Sequence, residues 1–313
     1  MSIKAPFSWS WSRHGTYMRC QRQYWYEYYG SKNGWSTRAS PETRQLYILK
    51  RALSRPQWVG ILVHEAAERL LNAAKQGTSL PLDQLTVAMV DKATKQLADA
   101  RAQKHRDAPK AYQGFIDLEY QNDPGEDTWS ATMADLQQQI EAVHDHRLMQ
   151  RLLSVPSQIV EVEALERLNV DGLQIWLSID VLVRNRDGGL IIIDWKTGQH
   201  HKPETIAGQL ALYGLYVQHR YRAPSDAIQG AMAFTRTGDF ELVPFSEEVA
   251  SETQAHAHAS ATTMLEHLPD PRRDAAPIDS FRQLEEGSEP CRTCPYRGPC
   301  RGQEDRFRPL VLF

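Results

Sequence analysis

Long apolar runs are missing from this chain. No stretch of about 18 uncharged apolar residues occurs in its 313 positions, so no membrane span is expected. Cysteine is scarce, at four residues, and no signal peptide is visible. A cytoplasmic, reducing setting is therefore expected, and disulfides are not. Charge of one sign is not in excess either: 36 basic against 39 acidic residues leave a net charge of −3, which gives no global argument for a polyanionic partner. The phosphate-cradling Walker A pattern is absent, which argues against a built-in ATP motor. What remains, 41% hydrophobic and 24% charged, is the composition of a soluble unit with a sizeable core, read as a single domain over 1–313.

Chemistry is concentrated at residues 177–198. Two apolar, β-branched runs, 177–183 and 190–196, flank Asn185, Arg186, Asp187, Gly188 and Gly189, which read as a hairpin loop. Strand alternation puts Asp194 and Lys196 on one face with Trp195 on the other, and Asp180 can lie across from them on the neighbouring strand. A bare D-x-K is ordinarily a strand-end salt bridge. Here Asp194 follows four aliphatic residues, and a charge so placed must be paired or ligated to offset its desolvation. Converging carboxylates suit Mg²⁺ or Mn²⁺, while the ammonium can orient a water or stabilise charge on a phosphate.

The four cysteines are Cys20, Cys291, Cys294 and Cys300. C-x-x-C spacing lets two thiolates hold one metal, Cys300 can supply a third, and Cys20 completes four only if the two terminal regions meet. Spacing alone leaves Zn²⁺ and an iron-sulfur cluster both open.

Local charge is less even than the total. Between Arg13 and Arg55 nine basic residues face only Glu27 and Glu42, interleaved with Tyr17, Tyr24, Trp25, Tyr26, Tyr28, Tyr29, Trp35 and Tyr47. Basic groups track a phosphate backbone and aromatic faces stack unpaired bases. Arg44, Arg51 and Arg55 are the residues expected to meet DNA, with Tyr24, Trp25 and Tyr28 mostly structural. Arg292, Arg297, Arg301, Arg306 and Arg308 form a second basic patch.

The remaining elements are expected as follows. A helix covers 8–29, and a well-buried helix over 58–74 carries His64 at its middle. Helices over 82–108 and 128–153 form a strand-poor insertion covering the core. A strand over 158–168 presents Glu161 and Glu163. Either could face a metal, although a solvated strand face is their ordinary role. Gln209 and Tyr213 lie one helical turn apart and point the same way. Strands follow at 228–235 and 240–244, then a helix over 246–268 whose His256 and His258 point to different faces, and a loop over 269–290.

His64, Asp180, the Asp194-Trp195-Lys196-Thr197-Gly198 run and Gln209-x-x-x-Tyr213, in that order, resemble the PD-(D/E)XK nuclease superfamily. Within it the resemblance is to the RecB-like group of CRISPR-associated iron-sulfur exonucleases and AddB-type nuclease domains. It implies a restriction-endonuclease-like α/β core with a mixed sheet, subdivided as 1–57, core helix 58–75, helical insertion 76–156, nuclease core 157–268 and cysteine segment 269–313. It also implies His64, Asp180 and Asp194 as metal ligands, Lys196 assisting attack, and Gln209 and Tyr213 beside the site. The cysteine plan of the iron-sulfur members, one before the core and three after it with C-x-x-C-P, implies a [4Fe-4S] cluster stapling both termini, with zinc as the alternative. Gln21 stands where relatives usually have proline. Exonuclease action on single-stranded DNA or free ends is implied over endonuclease action. A DNA-end-binding adaptor for a helicase or integrase is the other reading.

Overall fold

The computed structural model describes residues 7–198, 203–269 and 275–303. A short strand, β1 (Ser8–Trp9), precedes α1 (Trp11–Arg19) and α2 (Gln21–Trp25). The helix expected over 8–29 is thus broken at Cys20. Its backbone is extended, and its sulfur accepts the Gln23 amide as the cap of α2. After a π-helical turn at Tyr26–Gly30, α3 (Pro41–Arg51) leads through β2 (Ala52–Leu53) into α4 (Arg55–Lys75). Ser54 and Gln57 close a reciprocal capping box at the start of α4, and Pro56 sits in the first turn, where no amide partner is needed.

The insertion comprises α5 (Leu82–Arg101), α6 (Lys104–Asp107), β3 (Gly114–Phe115), α7 (Ile116–Glu119), α8 (Glu126–Asp145) and α9 (Arg147–Ser154). It departs from expectation in three places. The helix over 82–108 breaks before Gln103, which adopts φ 60°. The helix over 128–153 breaks at His146, whose Nδ1 accepts the Leu148 amide while Nε2 lies 3.1 Å from the Asp239 carbonyl. And β3 pairs in parallel with β2, tying the insertion to the α3–α4 junction.

The remaining elements are β4 (Ile159–Val170), β5 (Leu173–Arg184), β6 (Leu190–Lys196), α10 (Pro203–Tyr221), β7 (Ile228–Phe234), β8 (Phe240–Pro244), α11 (Glu247–Leu265), α12 (Glu289–Arg292) and α13 (Arg297–Cys300). Asp171 and Gly172, both at positive φ, make the tight β4–β5 turn that an Asp-Gly pair favours. The six-stranded sheet runs β1-β5-β6-β7-β8, with β4 on the other flank of β5. Two pairings, β1·β5 and β6·β7, are parallel and the rest antiparallel, so the sheet is mixed.

A core lies on each face. On one, Ile175, Ile179, Leu182 and Ile192 pack with Tyr24, Leu210, Tyr216 and Met264, from α2, α10 and α11. On the other, Val181, Val183, Ile193 and Trp195 pack with Leu62, Val63, Met89, Trp129 and Ile140, from α4, α5 and α8. Each fully buried aliphatic side chain contributes about 1.5–3 kcal/mol, so these two layers fix the sheet between its helices. Gly208 on α10 gives Trp11 room, since a Cβ there would come within 2.1 Å of its ring.

Candidate active site

The flank of β5 opposite β4 is shared by two strands. β1 pairs with it at Gln174 and Ile175, and β6 pairs with it only from Val181 to Arg184. The last rung, Val181↔Ile193, leaves Asp180 and Asp194 as the first residues beyond the ladder, at a fork in the sheet.

A slip in strand alternation aims the groups at this fork. Along β5, Leu173, Ile175, Leu177 and Ile179 face the first core, whereas Val181 and Val183 face the second, so the alternation skips a residue at Asp180. The same happens on β4, where Leu168 and Val170 face the first core and Val162 packs against the second. Between them Glu163 holds φ 45°, a left-handed conformation that costs a non-glycine residue about 1–2 kcal/mol. The slip turns Asp180 and Glu163 toward α4, which carries His64. Glu161, by contrast, bonds Tyr216 and Tyr221 on α10, on the other face.

His64 Nδ1 lies 3.3 Å from Glu163 Oε1 and 3.5 Å from Asp180 Oδ2. One ligand atom from each of His64, Glu163 and Asp180 lies within 4.8 Å of the others, a spacing suited to a single cation. Asp180 Oδ2 also accepts the Trp195 amide at 2.8 Å, which pins its rotamer to β6. Burial works against charge on His64, but the Asp180 and Glu163 carboxylates outweigh it and hold the imidazole well toward its protonated form. Burial pushes Glu163 up, partly offset by the His64 hydrogen bond. Of the two glutamates that could face a metal, Glu163 is therefore the member of the group, and its ordinary solvated role does not apply.

Asp194 is 2% exposed, and burial, followed by the Asp180 charge, raises its pKa to about 6 against the opposing pull of Lys196. Its Oδ2 leans toward Lys196 Nζ at 2.5 Å, apart from the three-residue group. Lys196 Nζ also donates to Gln209 Oε1 at 3.0 Å, and Gln209 Nε2 donates to Tyr213 Oη at 2.5 Å. The expected residues thus form one relay, Asp194–Lys196–Gln209–Tyr213, reaching the fork from the α10 side, while His64, Glu163 and Asp180 reach it from the α4 side. A cleft lined by Leu53, Pro56, Gly60, Ile61, His64, Glu68, Glu163 and Thr197 opens onto the second group. Gly60, one turn before His64, lets the loop after Lys196 approach: a Cβ there would sit 3.0 Å from Thr197 Oγ1.

The three arginines expected to meet DNA differ in surroundings. Arg44 is committed to the fold, its guanidinium donating to the carbonyls of Gly34, Trp35, Arg106 and Asp107 at 2.5–3.5 Å. Arg55 pairs with Asp117 at 3.0 Å, and Arg51 is exposed. In the second basic patch, Arg297 stacks on Tyr120 at 3.5 Å and Arg301 donates to the Leu284 carbonyl, whereas Arg306 and Arg308 lie outside the described residues.

All four cysteines line one cavity of about 250 Å³, together with Tyr26, Tyr120, Gln283, Tyr296 and Arg297. Burial pushes the Cys294 thiol up to about 12, with the Cys20 and Cys300 sulfurs adding to the effect. Tyr26 and Tyr296 stack at 5.2 Å, closing the N-terminal region on the cysteine segment. Gln21 adds a second tie: its Oε1 accepts the Arg282 amide at 3.0 Å, and the Arg22 amide donates to the Arg282 carbonyl at 3.1 Å. The insertion takes part as well, for Tyr120 Oη donates to the Pro295 carbonyl and accepts the Gly298 amide.

No curated protein matches the chain significantly. Among solved structures, it is similar to the crystal structure of SSO0001, at 15% identity and a TM-score of 0.30 over 55% of this chain and 75% of that one. The family model for the PD-(D/E)XK nuclease superfamily matches residues 8–301, which takes in the fork, the relay and all four cysteines, and the chain therefore belongs to that superfamily of metal-dependent nucleases.

Proposed function

We propose that the protein is a Mg²⁺- or Mn²⁺-dependent deoxyribonuclease acting on single-stranded DNA or DNA ends. The observation that carries this reading is the convergence of His64, Glu163 and Asp180 within 4.8 Å, beside the Asp194–Lys196 ion pair. An imidazole nitrogen and carboxylate oxygens are a donor set that suits Mn²⁺ and is compatible with Mg²⁺. His64, Glu163 and Asp180 would hold the cation, with Asp194 as a further carboxylate at the fork. When bound, the cation supplies Lewis-acid polarisation of the scissile phosphate and a water of lowered pKa.

The protein's own groups do the positioning. Of the three N–H donors of Lys196, one meets Gln209 and one faces Asp194, leaving one for a phosphate oxygen or the attacking water. Gln209, itself held by Tyr213, fixes where that ammonium points. His64 must shed its proton before it can act as a ligand, so cation binding is coupled to proton release.

The cysteine cavity supports an iron-sulfur cluster as a structural staple. A single zinc ion, with its four sulfurs about 2.3 Å away, would leave most of the cavity empty. Its volume is about 250 Å³. The four thiols gathered at this cavity are a donor set that a cluster would take up as thiolates, with release of their protons.

Cleavage of end-labelled linear single strands, linear duplex and circular single-stranded DNA, each with and without Mg²⁺ or Mn²⁺, tests the activity. Metal-dependent loss of the linear single strand with the circle intact is the expected pattern. Cleavage undiminished in Asp180→Ala, Asp194→Ala and Lys196→Ala would overturn the assignment.

A further inference from the structure

The face of the β4–β5 hairpin that carries Glu163 and Asp180 continues beyond them. α4 and its neighbours cover this side of the sheet only as far as Val162 and Val181. Past Glu163 and Asp180, the same side presents the cross-strand pairs Leu165↔Ser178, Arg167↔Trp176 and Asn169↔Gln174, while the intervening residues face the first core. Leu165 is 66% exposed, and Arg167 is exposed as well. The Arg167 guanidinium lies 4.2 Å from the centre of the Trp176 ring, and no carboxylate among the described residues pairs with it.

We infer that this open hairpin face is a track for a single DNA strand leading into the fork, an inference that rests on the nuclease reading above. Successive pairs on one face are about 6.8 Å apart. Leu165 lies one step and Arg167 two steps from the level of Glu163 and Asp180. The step is comparable to that between phosphates of an extended strand. Leu165 offers an apolar surface to a base or sugar, which an unpaired strand presents and a duplex hides. Arg167 contacts a phosphate beyond it, and Trp176 is a positioning residue that holds the guanidinium plane flat for that contact.

The test is the affinity of a fluorescent single-stranded oligonucleotide, and its dependence on salt, measured in Ca²⁺ buffer so that no cleavage is needed. Arg167→Gln is expected to weaken binding roughly fivefold and to make the salt slope shallower by about 0.7, and Leu165→Asn to weaken binding with the slope unchanged. Arg184→Gln, at the opposite end of β5, is expected to alter neither. Photo-crosslinking of a 5-iodouridine strand to residues 164–178 gives a readout that needs no substitution. Unchanged affinity and slope in Arg167→Gln, together with crosslinks elsewhere, would overturn the track. A wild-type protein that binds through Arg167 but cleaves nothing with Mg²⁺ or Mn²⁺ would instead overturn the nuclease reading and leave the track standing.

Discussion

Glu163 and Asp180 stand level with each other across the β4–β5 ladder, at the one level where both strands change which residues face which core. Their carboxylates reach His64 because of that slip, and the left-handed backbone of Glu163 is part of it.

Separating the backbone from the carboxylate of Glu163 gives the first prediction. Glu163→Gly relieves the strained φ, so its melting temperature is expected to be no lower than wild type, while metal-dependent cleavage falls by at least tenfold. Glu161→Gln, whose side chain serves Tyr216 and Tyr221, leaves cleavage nearly intact. Equal losses in both variants would count against a role for Glu163 at the fork.

Asp194 predicts a pH signature. Its folded pKa of about 6 lies above the ordinary value of 3.8, so the metal-free folded state binds this proton more tightly than the unfolded chain does. Its ionised form thus costs stability fully above about pH 6, and the cost fades toward pH 4. Asp194→Asn is expected to remove this pH dependence, so that the variant gains stability relative to wild type as pH rises from 4 to 7, read by urea denaturation at the two pH values. Cation affinity moves the opposite way, falling as acid protonates Asp194 and His64, which isothermal titration checks.

The relay orders the effects on turnover. Lys196→Ala is expected to lower kcat by about 10²–10³-fold. Gln209→Ala, which frees the ammonium without removing it, is expected to lower kcat by about tenfold and to be partly rescued by Gln209→Asn or →Glu. A Gln209→Ala loss as large as that of Lys196→Ala would give Gln209 a direct role instead.

Among the arginines, Arg44 is taken up by backbone carbonyls while Arg51 is left exposed. Arg44→Gln removes donors from several backbone carbonyls and is expected to lower the melting temperature, at a cost of about 1–3 kcal/mol. Arg51→Gln leaves stability alone and makes the salt dependence of DNA binding shallower. A flattened salt slope in Arg44→Gln with unchanged stability would reverse these roles.

Protein purified without oxygen is expected to be brown and to hold about four irons. Cys20→Ala is expected to lose the colour and to expose both the α1–α2 region and residues 275–303 to protease. Colourless protein with one zinc would keep the staple and refute the cluster.

Asp180, Asp194 and Lys196 were legible in the sequence because apolar runs that end in charge are conspicuous, and the order of the motifs named the superfamily. Glu163 was legible only as one of two alternatives with Glu161, both more ordinarily solvated, because period-two alternation puts the two on one face and nothing in the letters signals a positive φ at a glutamate. The breaks at Cys20 and His146 escaped for a related reason. Neither involves glycine or proline, and at His146 the bond to the Asp239 carbonyl, far along the chain, holds the kink. Counting charges likewise could not reveal that Arg44 is taken up by carbonyl groups.

The stack of Tyr26 on Tyr296 joins positions 270 residues apart, and this sets an order of events during synthesis. At ribosomal speeds of about 5–20 residues per second, the N-terminal tyrosines and Cys20 wait on the order of tens of seconds for their partners to emerge. Over that interval Tyr26 and Leu49 lack the ring of Tyr296 that completes their apolar cluster. The apolar cluster of the N-terminal region is therefore completed only after residue 296 has emerged, late in synthesis.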